Sequence, residues 1–262
     1  MEIKQVLISS DMKRFIDFPH ALYQGDPNYV PELFIAQKDM HDQKKNPFFE
    51  HSKAELFLAL ENGNVVGRIA AIDNINHNQH MHDNTAFFGF FDVINDQGVA
   101  NALLDKAVAY ARACGRTSIL GPTNYSTNDS CGLLIDGYDS APYIMMTYNK
   151  PYYLNLLENY GFSKKMDLLA YQLAPYTVND KYLALADRLE ERIEKSGIRI
   201  REMNMKNFQQ EVDNILKIYN AAWDKNWGFV PATEHEFRHA AKDLIMIVNP
   251  RFAYIAETLE GE

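Results

Sequence analysis

Two segments of the chain carry residue types that acid–base chemistry or the binding of a polar substrate requires. Asp92 lies near the end of a Phe-rich segment, where its carboxylate could act as a general base on an amine, directly or through water. Farther along, the segment 121–139 offers the side chains of Asn124, Asn128 and Asp129 to orient a substrate. We predict these four residues as the catalytic set of a candidate cleft. The alternative is a loop whose Asn and Asp side chains satisfy only its own backbone.

The position of Asp92 depends on the regularity of the segment that carries it. In a regular strand successive side chains point to opposite faces, so Asp92 would share a face with Phe88 and Phe90. An acid on that face either serves a function or lies at the exposed end of the strand. The residues alone leave both interpretations open.

Other reactive side chains have simpler interpretations. His77, His80 and His82 fall in an Asn-rich segment, which indicates a solvated loop because zinc ligands usually come from rigid elements with supporting hydrogen bonds. Cys131 has no neighbouring His to activate it, which favours a small buried residue over a nucleophile. The sequence therefore predicts no metal site.

The composition excludes several classes of protein. The 262 residues carry a formal charge of −9, and no long basic run offsets it, which disfavours nucleic acid and anionic membranes as partners. Two cysteines rule out a disulfide scaffold and agree with a reducing compartment. No apolar run reaches membrane-spanning length, and the N-terminus lacks a hydrophobic signal core. We expect a soluble, cytoplasmic protein with no membrane partner.

The elements that must position the candidate residues form a mixed α/β pattern. Asn62-Gly63 between two apolar runs predicts a β-hairpin, and three- and four-residue apolar steps over 97–114 predict the clearest helix. The segment 73–84 is predicted to be a polar loop. The further predicted strands are 3–8, 85–94, 118–120 and 168–173, and the further helices follow Ser9 and span 152–160.

A domain boundary is predicted where Pro175–Asp180 interrupts the pattern, giving domains 1–174 and 175–262. The second part reads as helix, strand, helix, helix and strand, and it repeats the opening order of the first. It stops at a turn where a hairpin partner is expected, which would leave an open strand edge. We therefore expect a partial second α/β unit, either because the chain is a fragment of a two-domain protein or because another subunit covers the edge.

The first domain resembles the GNAT superfamily, the acyl-CoA-dependent N-acyltransferases. The resemblance lies in the strand 85–94, the turn 95–100, the following helix and the later Gly161-Phe162. It also extends over nearly the whole domain to a bacterial GNAT-like group with two tandem domains. The segments shared with that group are 88–92, 121–129, 132–139, 145–153 and 226–231.

The resemblance implies a binding site for coenzyme A at the strand–helix turn. Small residues there let the backbone approach a pyrophosphate, and free N–H groups at a helix start attract it. The residues implied are Val93 and Ile94 for the pantetheine, and Asn95, Gly98, Val99, Ala100 and Asn101 for the pyrophosphate. Three residues depart from the pattern of the family. Asn95 replaces the usual Arg or Gln, and Asp96 adds a negative charge beside the expected pyrophosphate. Leu157 stands where many members carry a Tyr that acts as a general acid.

The resemblance implies an acyl-CoA-dependent N-acyltransferase that acylates a small-molecule amine by direct transfer, using acetyl-CoA or another acyl-CoA. Aminoacyl transfer from charged tRNA is a related alternative, which the acidic charge disfavours. The alternative from another class is a catalytically inactive GNAT-like module for binding or assembly, which Asp96 and Leu157 favour. A homodimer fits either function.

Overall fold

The computed structural model describes residues 1–172, 180–245 and 248–260 and divides the chain into two compact units. The first unit comprises Met1–Met166 with Ala222–Glu236, and the second comprises Asp167–Ala221 with Phe237–Glu262. The predicted boundary between 174 and 175 stays a prediction about domains. The two units differ from the two predicted domains, because the first unit ends at Met166 and also includes the segment 222–236.

The first unit is built on a mixed five-stranded sheet, which confirms the predicted α/β fold class. Its neighbouring strands pair antiparallel except for the last two, which are parallel. The Asn62-Gly63 hairpin is confirmed, since both residues have the positive φ (49° and 81°) that such a turn requires. In order across the sheet, the strands are β1 (Glu2–Gln5), β2 (Lys53–Glu61), β3 (Asn64–Asp73), β4 (Thr85–Val93) and β5 (Ser118–Leu120).

Helices cover both faces of this sheet. One face packs against α4 (Gln97–Ala113) and α5 (Tyr152–Tyr160) around Leu103, Leu104 and Leu156, and the other carries Phe15 of α1 (Ser9–Leu22). The strand β4, helix α4, parallel strand β5 and helix α5 follow one another in the order on which the GNAT resemblance rests. The helices are α1 (Ser9–Leu22), α2 (Phe34–His41), α3 (Ile75–Met81), α4 (Gln97–Ala113) and α5 (Tyr152–Tyr160).

Two predictions about the first part of the chain are wrong. The segment 73–84 contains α3, and His77 on this helix is buried with its ring edge against Phe87, not solvated. The described part of the predicted strand 168–173 has no regular structure, and Leu173 lies outside the described residues. A strand needs a hydrogen-bonded neighbour, and among the described residues β5 is an edge strand without a further partner.

The second unit has the predicted order of elements. Its two strands pair antiparallel, and Met203, Phe208, Val212 and Ala241 form its small core. The elements are α6 (Asp180–Lys195), β6 (Ile198–Glu202), α7 (Phe208–Trp223), α8 (Glu234–Leu244) and β7 (Tyr254–Thr258).

A β-bulge interrupts β4 close to Asp92. Arg68 pairs with Asp92 and Ala70 with Gly89, so two residues of β4 oppose the single residue of β3 between them. The first of the two, Phe90, has a φ of 46°, a conformation that bulky side chains rarely adopt.

The bulge reverses the alternation of side chains along β4. Phe88 and Phe91 both face α4, whereas Phe90 faces α1. Asp92 therefore shares a face with Phe90, as predicted, but not with Phe88. Regular alternation fails here because the extra residue shifts the following side chains by one position.

Close backbone contact between β4 and the chain after β5 makes Gly89 necessary for the fold. A Cβ atom at Gly89 would lie 1.8 Å from the carbonyl oxygen of Thr123, whereas one at Gly98 would meet only the Asp96 carboxylate, at 3.2 Å. We predict that Gly89→Ala lowers the free energy of unfolding by about 3 kcal/mol, since backbone cannot move aside as a side chain does. Urea denaturation measures this, with Gly98→Ala as the control. Equal effects of the two substitutions would contradict the prediction.

Candidate functional site

A buried ion pair connects β3 and β4 on the face that α1 covers. The Nε atom of Arg68 donates to Asp92 at 2.7 Å, and its Nη1 atom donates to the carbonyl oxygen of Phe15 at 2.8 Å. The guanidinium group also lies 4.8 Å from the centre of the Phe15 ring. Because the Arg68 and Asp92 side chains are only 8% and 13% exposed, the interpretation of Asp92 as an exposed strand end is wrong.

Two tyrosines complete the hydrogen bonding around Asp92. The hydroxyl groups of Tyr23 and Tyr153 lie 3.3 and 3.4 Å from its Oδ1 atom and 3.2 Å from each other. Burial, followed by the charge of Asp92, raises the pKa of both tyrosines, so both keep their protons at neutral pH. Asp92 is thus the acceptor at the centre of a network with one cation and two neutral donors.

Three further carboxylates gather near the end of the segment that follows β5. Burial, and secondarily the charge of Glu236, raises the pKa of Asp129 to about 7, and Glu32 adds to this while a hydrogen bond from the Ser126 backbone opposes it. Asp129 is nevertheless exposed to solvent. Asp129 therefore lies at the surface, within electrostatic reach of two further carboxylates.

Glu32 shows the same combination of exposure and a pKa raised by burial. The charge of Arg68 opposes this shift and that of Asp92 adds to it, which places Glu32 within electrostatic reach of both. Glu32 is therefore within electrostatic reach of both the Asp92 network and Asp129. We call the group of Glu32, Asp129 and Glu236 the acidic cleft.

The other two predicted catalytic residues bind backbone groups. The Oδ1 atom of Asn124 accepts from the amide of Phe90 at 2.8 Å and so holds the bulge. The Nδ2 atom of Asn128 donates to the carbonyl oxygen of Val230 at 2.9 Å, within the segment 222–236 that returns to the first unit. These two side chains thus satisfy backbone groups of other segments, whereas the alternative that the sequence left open placed their partners within their own loop.

The predicted pyrophosphate site lies at the start of α4, where the chain supplies its own carboxylate. The Oδ1 atom of Asp96 accepts from the amide of Val99 at 3.0 Å, and the amide of Ala100 donates to the Asp96 carbonyl. Val99 and Ala100 are buried, and Asn101 accepts from the side chain of Gln97. Asn95 and Gly98 are exposed. With Asp96 capping the helix, these residues do not fit a pyrophosphate.

The predicted pantetheine amides are also engaged within the chain. The amide of Val93 donates to the Tyr153 hydroxyl at 3.0 Å, while the carbonyl of Val93 accepts from Tyr152 at 2.7 Å. The amide of Ile94 donates to Val66 at 3.0 Å. The structure thus brings all seven predicted cofactor residues to one strand–helix turn, but no position for coenzyme A follows from them.

Several site residues were missed by the sequence analysis. Tyr23, Glu32, Tyr153 and Glu236 come from separate elements, and no local pattern marks them. The sequence could have indicated Arg68, because it is a charged residue among the apolar residues 65–72. Such a residue requires a buried counter-ion.

Two other kinds of feature were sought in the described ranges 1–172, 180–245 and 248–260. Within them, no three His, Cys, Asp or Glu side chains are grouped so as to hold a metal ion. None of the helices described there is both long and apolar enough to cross a membrane.

The buried ion pair generates a prediction about stability. We expect Arg68→Ala to lower the free energy of unfolding by about 3–5 kcal/mol, because Asp92 is left buried without a counter-ion. Replacing both partners (Arg68→Met with Asp92→Leu) should cost less than Arg68→Ala alone. Lys13→Ala, which removes an exposed pair with Asp17, serves as the control and should cost below about 1 kcal/mol. Urea denaturation of the four proteins tests this order, and a double variant as unstable as Arg68→Ala would refute it.

The cap at Asp96 generates a second prediction. Asp96→Ala should lower the free energy of unfolding by about 1 kcal/mol and Asp96→Asn by much less, because Asn also caps helices. Calorimetric titration with acetyl-CoA should give the same affinity for wild type and Asp96→Asn, since the amide oxygen still accepts from Val99. Clearly tighter binding by Asp96→Asn would show that a pyrophosphate does bind at this helix start.

Comparison with known proteins gives relatives by sequence, although no family model matches the chain. Protein YghO of Escherichia coli is 36% identical over 257 residues, covering 97% of this chain and 64% of YghO. The bacterial ceramide synthase of Caulobacter vibrioides is 35% identical over 263 residues, covering 100% of this chain and 67% of that protein. The chain thus spans about two thirds of the length of these relatives.

Solved structures with some similarity include an aminoglycoside acetyltransferase from a soil metagenomic sample, in complex with sisomicin, and a tandem GNAT protein from the clavulanic acid pathway. The first has a TM-score of 0.40 and 12% identity and covers 66% of this chain and 95% of its own. The second has a TM-score of 0.36 and 18% identity and covers 45% and 35%. The sequence relatives, and not these structural scores, support the conclusion: the chain belongs to the family of YghO and the Caulobacter vibrioides bacterial ceramide synthase.

Proposed function

We propose that the protein is an N-acyltransferase that acylates the primary amine of a long-chain amino alcohol, with an acyl-CoA as the acyl donor. The observation that carries this proposal is the carboxylate of Asp129, which is exposed to solvent and has a pKa raised to about 7. The class of acceptor comes from the relative named bacterial ceramide synthase, because a ceramide is an N-acylated long-chain amino alcohol.

An amine acceptor must lose a proton before its nitrogen can attack an acyl group. Aliphatic amines are protonated at neutral pH, with a pKa near that of lysine, about 10.4. A base works best when its own pKa lies near the working pH, because about half of it is then ionised and the ionised form still takes a proton readily. Asp129, with a pKa of about 7, meets this requirement, whereas an ordinary aspartate is a much weaker base.

The surroundings of Asp129 favour a cationic acceptor. Glu32 and Glu236 both add negative charge at this carboxylate, and both raise its pKa. Together the acidic cleft attracts an ammonium group and repels anions. A bound ammonium would stabilise the ionised form of Asp129 until the proton passes from the nitrogen to the carboxylate.

The other three predicted catalytic residues hold the structure around Asp129 through hydrogen bonds. Asn124 holds the bulge at Phe90, and Asn128 fixes the segment that carries Glu236 to the first unit. Asp92 is saturated with donors from Arg68, Tyr23 and Tyr153. We therefore assign Asp92, Asn124 and Asn128 as positioning residues and Asp129 as the base.

Two observations favour a second candidate function, a GNAT-like binding module without catalysis. Asp96 caps α4 where a donor pyrophosphate would bind, and Tyr153 occupies the amide of Val93. A module of this kind would bind the amine in the acidic cleft without transferring an acyl group to it. The two functions differ in whether acyl transfer occurs at all.

We predict that Asp129→Asn lowers kcat/KM for the acylation of a long-chain amino alcohol by about 10²- to 10⁴-fold, the usual contribution of a general base. In the wild type kcat/KM should rise with pH around a midpoint near 7, because only the ionised carboxylate accepts a proton. The variant should lack this midpoint. Release of free thiol from acyl-CoA, measured between pH 5 and 9, gives both quantities.

Asp139→Asn is the matched control, since Asp139 is an exposed aspartate of the same segment. It should retain the wild-type rate and pH profile. A wild-type rate in Asp129→Asn would remove Asp129 from the mechanism. Binding of the amine without any thiol release, across acetyl-CoA and long-chain acyl-CoA donors, would favour the binding module.

A further inference from the structure

A chain of hydrogen bonds that the proposed function does not use leads from the start of α3 to Glu236. The backbone amide of Ile75 donates to Ser52 Oγ at 3.0 Å, and this oxygen lies 2.7 Å from the Nδ1 atom of His51. The Nε2 atom of His51 lies 2.9 Å from Glu236 Oε1. All four residues belong to the first unit.

The direction of each hydrogen bond follows from the chemistry of the groups. An ionised carboxylate can only accept, so the Nε2 atom of His51 carries the hydrogen that Glu236 accepts. The Nδ1 atom of the neutral ring then accepts from the Ser52 hydroxyl. When the ring is protonated, the oxygen of Ser52 can accept from Nδ1 instead, because a hydroxyl oxygen has two lone pairs. His51 therefore keeps a donor on Glu236 in either form.

Both carboxylate oxygens of Glu236 are held. Its Oε2 atom accepts from the backbone amide of Thr233 at 2.9 Å, while Thr233 Oγ1 accepts from the amide of Glu236 at 3.2 Å, which is a capping box. A capping box uses one carboxylate oxygen, and the other takes the donor of His51. Burial alone would raise the pKa of Glu236, but the hydrogen bonds from His51 and Thr233 bring it below its usual value. Glu236 is therefore ionised and fixed in place at neutral pH.

The segment that carries Glu236 is attached next to Asp129. The Nδ2 atom of Asn128, the residue before Asp129, donates to the carbonyl oxygen of Val230 at 2.9 Å. Burial raises the pKa of Asp129 most, and the charge of Glu236 is the next cause. A change in the position or charge of Glu236 should therefore alter the proton affinity of Asp129.

Ser52, His51 and Glu236 also have the side chains of a nucleophilic triad. A nucleophile must be accessible to its substrate, but Ser52 is only 3% exposed and its oxygen accepts from the amide of Ile75. The ring of His51 packs edge-on against Phe48, with the ring centres 5.7 Å apart. This burial favours a role in positioning over nucleophilic attack.

We propose that His51, oriented by Ser52, is a positioning residue that fixes the Glu236 carboxylate within electrostatic reach of Asp129 and so strengthens Asp129 as a base. A negative charge near a carboxylate favours its protonated form, so Asp129 takes a proton more readily while Glu236 is held. The proposal rests on the proposed function for the role of Asp129 as the base.

Titration of the Asp129 carboxyl group tests the proposal without any substrate. The NMR resonance of its carboxyl carbon, assigned by its loss in Asp129→Asn, should titrate near pH 7 in the wild type. Glu236→Gln should lower this midpoint by about half a pH unit, the size of effect expected of a nearby charge that solvent partly screens. Glu32, the other charge that raises the pKa of Asp129, is unchanged in this variant.

His51→Ala should lower the midpoint of Asp129 in the same direction, because Glu236 loses a donor and is free to turn toward water or take up a proton. The double variant of His51→Ala with Glu236→Gln should have the midpoint of Glu236→Gln alone. The two effects are not additive because His51 acts only through Glu236.

His51→Gln and His235→Ala are the matched controls. Gln carries an amide N–H at the end of its side chain that can donate to Glu236, so His51→Gln should keep the wild-type midpoint. His235 forms a second pair between the same two segments, with Glu50 at 2.6 Å, but its side chain is 57% exposed. Exposed pairs contribute little, so His235→Ala should also keep the wild-type midpoint. Thermal unfolding of each variant confirms that it is folded.

The proposal would be overturned if Glu236→Gln or His51→Ala left the midpoint of Asp129 in place. An equal fall in His235→Ala would also overturn it, because any contact that holds the segment would then have the same effect. Covalent labelling of Ser52 by a fluorophosphonate would overturn it as well, since Ser52 would then be a nucleophile.

The acylation assay on the same proteins separates this proposal from the proposed function. Acylation of the amino alcohol by the wild type, with an Asp129 midpoint that His51→Ala leaves in place, would overturn the positioning and leave the proposed function standing. The expected shifts of the midpoint, without acylation of any amine from any acyl-CoA, would support the positioning of Glu236 by His51 and overturn the proposed function.

Discussion

The extra residue at Phe90 in β4 is the constraint on which the rest of the candidate site depends. Without it, Asp92 would point toward α4, into the apolar core around Leu103 and Leu104, where a carboxylate has no partner. With it, Asp92 meets Arg68 beneath α1. The amide freed at the bulge is satisfied by Asn124, and so the bulge also fixes where the segment leading to Asp129 begins.

The ion pair between Arg68 and Asp92, which the bulge makes possible, fixes the positions of side chains more than it stabilises the fold. Burying two charges costs desolvation energy that their attraction only partly returns, and an apolar pair of similar size would often be as stable. Here both ions are held by further groups, Arg68 by a carbonyl and an aromatic face, and Asp92 by two tyrosines. Such a network has one geometry, because each member satisfies another. It therefore holds α1, β3, β4 and α5 in fixed relation at the edge of the cleft.

The features that could be predicted from the sequence are those that depend on a local pattern of residues. The Asn62-Gly63 hairpin and α4 follow from turn chemistry and apolar periodicity, and both are confirmed. The segment 121–139 was selected from its polar residues, and it does carry Asp129. What failed depends on distant partners: the bulge requires Asn124 to reach β4, and the burial of His77 requires Phe87. The predicted strand 168–173 had the right residues but, as far as it is described, no neighbouring strand.

Besides its ion pairs, the first unit has an acidic and a basic surface in different places. Carboxylates gather at Glu32, Asp129 and Glu236, whereas Lys164 and Lys165 line a separate cavity of about 350 Å³ beside β5. An ammonium and a diphosphate cannot share one electrostatic environment, because the groups that attract either of them repel the other. At the start of α4 the carboxylate of Asp96 already takes the place that an anion would need. The amine acceptor of the proposed function therefore suits the surroundings of Asp129, and not those of Lys164 and Lys165.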